Sequence, residues 1–199
     1  MPRNRFCCPQ CALPLNRAEV ICGVCLTRPP PYAQAWIPYQ YAYPLDQLVT
    51  QFKFTRQLAT GRVLGELLID AAKITTPTRP ELLIPMPLHR QRLRERGYNQ
   101  ALELIKPLAK QMQIEVDVRT LVRIKPTQAQ SELDAKTRQR NVRDAFAVQR
   151  RRCLPEHIAL FDDVVTTGAT VREAALALRQ AGVKRIDVWA LARAPRSKM

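Results

Sequence analysis

At 199 residues the chain has room for one sizeable α/β domain with a small appendage, not for two full domains. Its 46% hydrophobic and 25% charged content are those of an ordinary soluble globular protein. The charge is unusual: 32 Lys and Arg against 17 Asp and Glu give +15, which favours nucleic acid, phosphorylated small molecules or an anionic membrane surface as partners.

No run of about 18 apolar residues is present, so no membrane insertion is expected. The basic start, MPRNRFCCPQC, has no apolar run behind it and does not read as a signal peptide. The expected location is cytoplasmic, a reducing compartment in which paired thiols point to metal rather than disulfides.

Residues 1–30 read as their own unit. Cys8 and Cys11, then Cys22 and Cys25, form two C-x2-C pairs with ten residues between them. Two such knuckles bring four thiolates within reach of one tetrahedral ion, here a structural zinc. A unit this small cannot bury a core of its own, and a metal staple is the physical means of ordering it. Cys7 is an alternative to Cys8, with C-x3-C spacing, and the lone Cys153 reads as a buried small apolar residue.

Residues 31–80 read as a connector followed by a helical hood region. The stretch 27–44, rich in Pro and Tyr, suits an extended connector or edge strand. Its aromatics read as packing against the next domain, with a base-stacking platform as the alternative. Leu45, Leu48, Val49 and Phe52 then recur at helical spacing, and 58–72 is a second helix candidate.

Residues 81–199 read as one α/β domain. A buried strand is predicted at 81–85, a helix at 99–112 that Pro107 should kink or split, a strand near 116–124, a polar basic stretch over 125–143 and a short strand at 145–148. Next come an apolar strand at 157–161 ending in Asp162 and Asp163, a helix at 170–181 with Gly182 beyond its end, and a strand at 186–192. Strand, tight loop, helix, strand is a right-handed βαβ unit and implies a parallel sheet.

In such a sheet ligands bind at the carboxyl ends of strands, where the two aspartates lie. The loop after them enters a helix, so its free N–H groups and the helix dipole make an anion site. Thr166, Thr167 and Thr170 add hydroxyl donors, and Gly168 allows close backbone approach. Carboxylates for vicinal ribose hydroxyls beside a loop for a 5′-phosphate suit a sugar phosphate. Helix capping explains one such residue, not the whole run. Neither G-x-G-x-x-G nor G-x-x-x-x-G-K-[ST] occurs, so a dinucleotide fold or P-loop is unsupported.

The run LFDDVVTTGAT resembles the phosphoribosyl-pyrophosphate (PRPP) signature of type I phosphoribosyltransferases. The rest of the chain resembles one branch of them, the ComF (ComF/GntX) family of competence and DNA-utilisation proteins. The likeness is carried by the Cys pairs, Phe52-Lys53-Phe54, Ile84-Pro85-Met86-Pro87-Leu88, Arg96-Gly97-Tyr98-Asn99-Gln100, and Thr127 with Gln130 ahead of Arg138 and Asn141.

The resemblance implies an α/β fold: a type I phosphoribosyltransferase-like parallel sheet flanked by helices, with the four-cysteine zinc unit appended. It implies that Asp162 and Asp163 hold the ribose hydroxyls, one through Mg²⁺, and that Thr166, Thr167, Gly168, Ala169 and Thr170 cradle the 5′-phosphate. Pro87, Leu88, His89 and Arg90 correspond to the pyrophosphate loop, and 125–143 to the mobile loop that covers the reaction centre. That stretch is polar, basic and without apolar periodicity, as a lid opening to water must be. A solvated surface loop is the alternative.

Arg96, Lys125, Arg138 and Arg140 are the candidate lid and basic face. Arg90, Arg92, Arg94 and Arg96 would wrap around a helix or share one side of an extended loop. Such a surface suits pyrophosphate, single-stranded DNA or both. The expected function is a PRPP-binding, phosphoribosyltransferase-like protein acting in DNA uptake, releasing pyrophosphate as it transfers phosphoribosyl. The alternative is a non-catalytic adaptor for single-stranded DNA or for a helicase-like DNA-import protein. No residue names the acceptor, and no catalytic residue is assigned.

Overall fold

The computed structural model describes residues 1–17, 20–54, 57–75, 77–125, 143–149 and 153–195. The basic stretch with Thr127, Gln130, Arg138, Arg140 and Asn141 therefore lies outside the described residues, apart from its edges at Lys125 and Arg143.

The knuckle carries a short helix, α1 (Gly23–Thr27). The Pro- and Tyr-rich stretch supplies two edge strands, β1 (Gln34–Trp36) and β2 (Tyr39–Gln40), and its aromatics mostly pack inward. Tyr32 and Tyr39 are buried, and the Trp36 ring meets Trp189 edge-on at 5.4 Å. Then follow α2 (Leu45–Phe54), α3 (Leu58–Ile74), β3 (Leu82–Pro85), α4 (Arg90–Arg96) and α5 (Gln100–Met112). The chain continues through β4 (Glu115–Val116), β5 (Leu121–Arg123), β6 (Phe146–Val148), β7 (His157–Val165), α6 (Ala169–Gln180) and β8 (Arg185–Arg193).

Six strands form one parallel sheet in the order β1-β8-β7-β3-β4, with β2 also paired to β8. The expected parallel sheet with flanking helices and a four-cysteine appendage is what the chain builds. β5 and β6 form a separate antiparallel hairpin. The crossover from β7 through α6 moves outward to β8, and the one from β3 through α5 moves the other way to β4. Right-handed crossovers in opposite directions leave a switch point, here between β7 and β3. The crevice at the carboxyl ends of these two strands is where the fold itself prepares a ligand site.

Several sequence expectations need correction. β7 continues through Val165, so Asp162 and Asp163 lie within the strand rather than beyond its end, with Asp162 level with Ala190 of β8. The strand expected near 116–124 is two short ones, because Asp117 accepts hydrogen bonds from the Arg119 and Thr120 N–H groups and turns the chain between them. Pro107 does not split α5, which runs unbroken from Gln100 to Met112. The ring of Pro107 fills the space above Gly65 of α3, where an added Cβ would already be 3.4 Å from it. Cys153 is exposed, not buried. Arg90 is the first residue of a helix, so the four alternating arginines do wrap around a helical surface.

α2 and α3 are locked to the sheet by close packing. Leu45, Val49 and Phe52 of α2 are buried, and Phe52 lies so near Gly61 that a Cβ there would fall 2.5 Å from its ring. α3 packs on α5, and α5 packs on β3 and β7. The face of α2 that carries Phe52 is thereby held over the switch point.

Candidate functional site

Asp163 is buried, with 3% of its surface exposed, and Asp162 beside it is partly exposed. Two adjacent carboxylates at the end of an apolar strand need a positive partner. The partner is Lys53 of α2, whose ammonium lies 2.5 Å from Asp163 Oδ2. Burial and the adjacent Asp163 charge push the Asp162 pKa well above the carboxylate range. Burial acts the same way on Asp163, but Lys53 outweighs it and holds that carboxyl low. Burial alone would lower the Lys53 pKa; the charge of Asp163 instead raises it.

Further cations face the pair. Arg96 lies in the field of Asp163, and Arg123 of β5 in that of Asp162; Arg92 stands near both guanidiniums. Arg92 and Arg96 are one turn apart on α4 and face inward, whereas Arg90 and Arg94 are exposed. Burial lowers the pKa of Arg96 and of Arg123 from the usual guanidinium value, yet both stay charged near neutrality.

The segment 96–100 holds this arrangement residue by residue. Gly97 ends α4 with a φ of 84°, a left-handed turn that costs Gly nothing. The Tyr98 hydroxyl donates to the Phe52 carbonyl, and the two rings lie 5.2 Å apart. Asn99 caps α5 through the Leu102 N–H and donates to the Met86 carbonyl at 3.1 Å. Met86 N–H in turn donates to Phe161 O at 2.7 Å, so the turn after β3 is tied to the residue preceding the acid pair. Pro87 and Leu88 follow, and His89 caps α4 by accepting from Gln91 N–H. Pro87, Leu88, His89, Arg90, Tyr98 and Arg123 are among the walls of a groove of ≈ 780 Å³, of the size that takes a small-molecule ligand. Lys125 lies at the rim of the β5–β6 hairpin, where it donates to Arg143 O at 3.1 Å.

On the other side of the pair, Thr166 and Thr167 lead to Gly168, which has a φ of 79° and caps α6. Thr167 Oγ1 accepts from Ala169 N–H at 3.3 Å. Asp162, Thr166, Gly168 and Thr170 line a small concavity at the start of the helix. The twelve residues of α6 put a full dipole behind it.

The end of β8 supports this loop. Arg193, 5% exposed, donates from Nη1 to the carbonyls of Val165 at 3.1 Å and Ala194 at 2.9 Å, and also to that of Thr166. Its Nε donates to Cys11 O at 3.0 Å, inside the knuckle.

Cys8, Cys11, Cys22 and Cys25 bring their sulfurs within 4.8 Å of one another. Tetrahedral zinc at Zn–S of about 2.3 Å places its sulfurs about 3.8 Å apart, and Cys11 and Cys22 stand at 3.6 Å. The cluster is compatible with a structural zinc. Cys8, not Cys7, belongs to it; Cys7 pairs with Pro14 and packs on the main core. Burial acts to raise the Cys8 thiol, but N–H groups of Cys22, Cys11 and Gln10 bring it down to about 7. Burial pushes the Cys11 thiol up to about 11, although Leu13 N–H opposes this.

The chain is 36% identical over 197 residues to the DNA utilization protein YhgH of Escherichia coli K12, covering 96% of this chain and 85% of that one. Competence protein F of Haemophilus influenzae is 38% identical over 193 residues, covering 94% and 84%. The chain belongs to the ComF family. No protein-family model matches this ComF chain. Among solved structures, an adenine phosphoribosyltransferase aligns with a TM-score of 0.41 at 11% identity, covering 70% of this chain and 72% of that one. The enzyme of Leishmania tarentolae aligns with a TM-score of 0.34 at 14% identity, covering 70% and 73%.

Lys53, Arg123 and Arg193 had no assigned role on sequence grounds. Lys53 does carry a signal: it follows Val49 by four residues and so falls on the apolar stripe of α2, where an ammonium needs a partner. Arg193 likewise ends a strand whose preceding eight residues are buried except the first. Arg123 has no such mark, since β5 is too short to show a pattern.

Lys53→Met leaves Asp163 without its cation and is expected to destabilise the protein by about 2–3 kcal/mol at pH 7. The low Asp163 pKa stabilises the wild type above the unfolded carboxylate pKa, and this contribution is lost as pH falls through the folded value. The gap between the two proteins should therefore begin to narrow as pH falls below about 4. Urea unfolding at pH 7 and at pH 3.5 measures it; an equal gap at both would remove the charge explanation.

Proposed function

We propose that this ComF chain binds PRPP with Mg²⁺ at the β7–β3 switch point and works in DNA utilisation. The observation that supports the reading is the acid pair, with Asp163 buried, flanked by a threonine-bearing loop at a helix start on one side and inward guanidiniums on the other. Asp162 and Asp163 would take the ribose hydroxyls, and Thr166 through Thr170 the 5′-phosphate. Arg92, Arg96 and Arg123 would face the pyrophosphate, where charge grows when the C1–O bond breaks. The same residues suit transfer of phosphoribosyl to a nitrogen acceptor, with the C1–O electron pair leaving on pyrophosphate as the C1–N bond forms.

Bound at Asp162 or Asp163, Mg²⁺ would neutralise part of the pyrophosphate charge. The names of the relatives, DNA utilization protein and competence protein F, support the biological setting.

Asp163→Asn should weaken PRPP by roughly 1.5–3 kcal/mol, the worth of a charge-assisted hydrogen bond. Isothermal titration with saturating Mg²⁺ reads this directly, and equal affinities would remove the ribose assignment.

The cysteine cluster is proposed to hold one zinc per chain in a structural role, since four thiolates leave no open position for water. Elemental analysis of protein purified without chelator should find it, and Cys25→Ser should lose it. Protein free of zinc refutes the assignment.

Exposed Arg90 and Arg94, on the outer side of the helix that presents Arg92 and Arg96, favour a second role for this surface: contact with single-stranded DNA. Binding should fall by about 0.7 log unit per phosphate contact for each log unit of salt. Fluorescence anisotropy at two salt concentrations measures the slope. No binding at low salt leaves these charges to another partner.

A further inference from the structure

The anion loop and the cysteine cluster are joined by two arginines that no ligand role explains. Arg193 spans from Cys11 O to the carbonyls of Val165 and Thr166. Arg172, in the first turn of α6, donates to Arg28 O at 2.8 Å and Pro29 O at 3.1 Å, immediately beyond the helix that carries Cys25. Each half of the knuckle is thus tied to one end of the loop that would hold the phosphate.

The consequence for the loop follows from peptide geometry. In a trans peptide the C=O and the next residue's N–H point in opposite directions. With the carbonyls of Val165 and Thr166 drawn back onto Arg193, the N–H groups of Thr166 and Thr167 are turned the other way, away from Arg193, where they are available to an anion. Among the described residues no carboxylate pairs with Arg193, although it is nearly fully buried. A buried guanidinium needs compensation, and four thiolates around a divalent ion carry a net charge of about −2. The side chain of Tyr32, also buried, stands within the fields of Cys11, Cys25, Arg193 and Arg172, which places thiols and guanidiniums around one point.

We propose that Arg193 is a positioning residue that couples the cysteine metal centre to the phosphate loop, so that the metal-loaded knuckle sets the affinity for the 5′-phosphate of the ligand. This rests on the reading of the loop as a phosphoribosyl site. Arg193 touches no reacting atom; it acts through the loop backbone. The appended unit is then part of the binding machinery, and metal loss, for instance on thiol oxidation, would loosen the site at a distance. Coupling of this kind is reciprocal: ligand in the loop must hold the metal more firmly.

The test uses the full chain, with ribose 5-phosphate as the probe because it engages the loop without a pyrophosphate that competes for metal. Three proteins are compared: wild type, Arg193→Lys, which keeps the charge but loses the fork, and Arg62→Lys, an exposed control on α3 away from the loop and the groove. Isothermal titration gives affinity, elemental analysis gives metal content, and release to a chromogenic chelator gives metal retention. Arg193→Lys should keep its metal and melting temperature within a few degrees, yet bind the probe about tenfold more weakly. Ribose 5-phosphate should slow metal release from the wild type and from Arg62→Lys, and leave release from Arg193→Lys unchanged. A merely structural role would lower stability without abolishing that protection. If the wild type binds and Arg193→Lys binds and is protected equally, the coupling is overturned and the phosphoribosyl reading stands. If the wild type binds neither ribose 5-phosphate nor PRPP, that reading fails and the coupling with it.

Discussion

Two carboxylates on consecutive residues in the carboxyl-terminal half of a buried parallel strand impose the constraint to which the surrounding structure answers. Unpaired they would be costly there, and the fold supplies cations from three directions: Lys53 from α2, Arg96 with Arg92 from α4, and Arg123 from the β5–β6 pair. These elements lie far apart in sequence and meet at one point of the sheet. Placing Lys53 requires Phe52 to be buried against Gly61 and its carbonyl to be held by Tyr98. Placing Arg96 requires the left-handed turn at Gly97.

The opposite end of the sheet gives a useful contrast. Asp187 is fully buried as well, but Gln34, His157 and Arg185 all reach its carboxylate. That acid is saturated by fixed partners at the amino ends of the strands, and it serves structure. The Asp162–Asp163 pair lies at the carboxyl ends, beside a groove and a helix start, with cations that stand near it rather than filling every oxygen. Charge in a protein core reads as function when its partners leave room for a ligand.

Much of this was legible in the sequence, and the limits have physical causes. The acid pair, the threonine-rich loop and the cysteine pairs are local features, recognisable as residue types at short spacing before any fold is known. The parallel sheet followed from the strand–loop–helix–strand pattern over 157–192. The ends of elements were less legible. β7 runs on through Val165 because pairing with β8 continues past the aspartates, and nothing in their polarity announces that. Pro107 stays within α5 and packs its ring against Gly65 of α3, a contact that depends on two helices meeting. The roles of Lys53 and Arg193 depend on Asp163 and Cys11, partners remote in sequence that only the folded chain brings to them.

The central claim is that the acid pair, the threonine loop and the inward arginines form one site for one ligand with two phosphate-bearing ends. The most direct measurement is the ³¹P spectrum of PRPP as the protein is added in the presence of Mg²⁺. The account predicts that the 5′-phosphate and both pyrophosphate resonances shift together and saturate at one ligand per chain. Resonances left unchanged by the protein, or a shift of the pyrophosphate alone that vanishes with added salt, would contradict it.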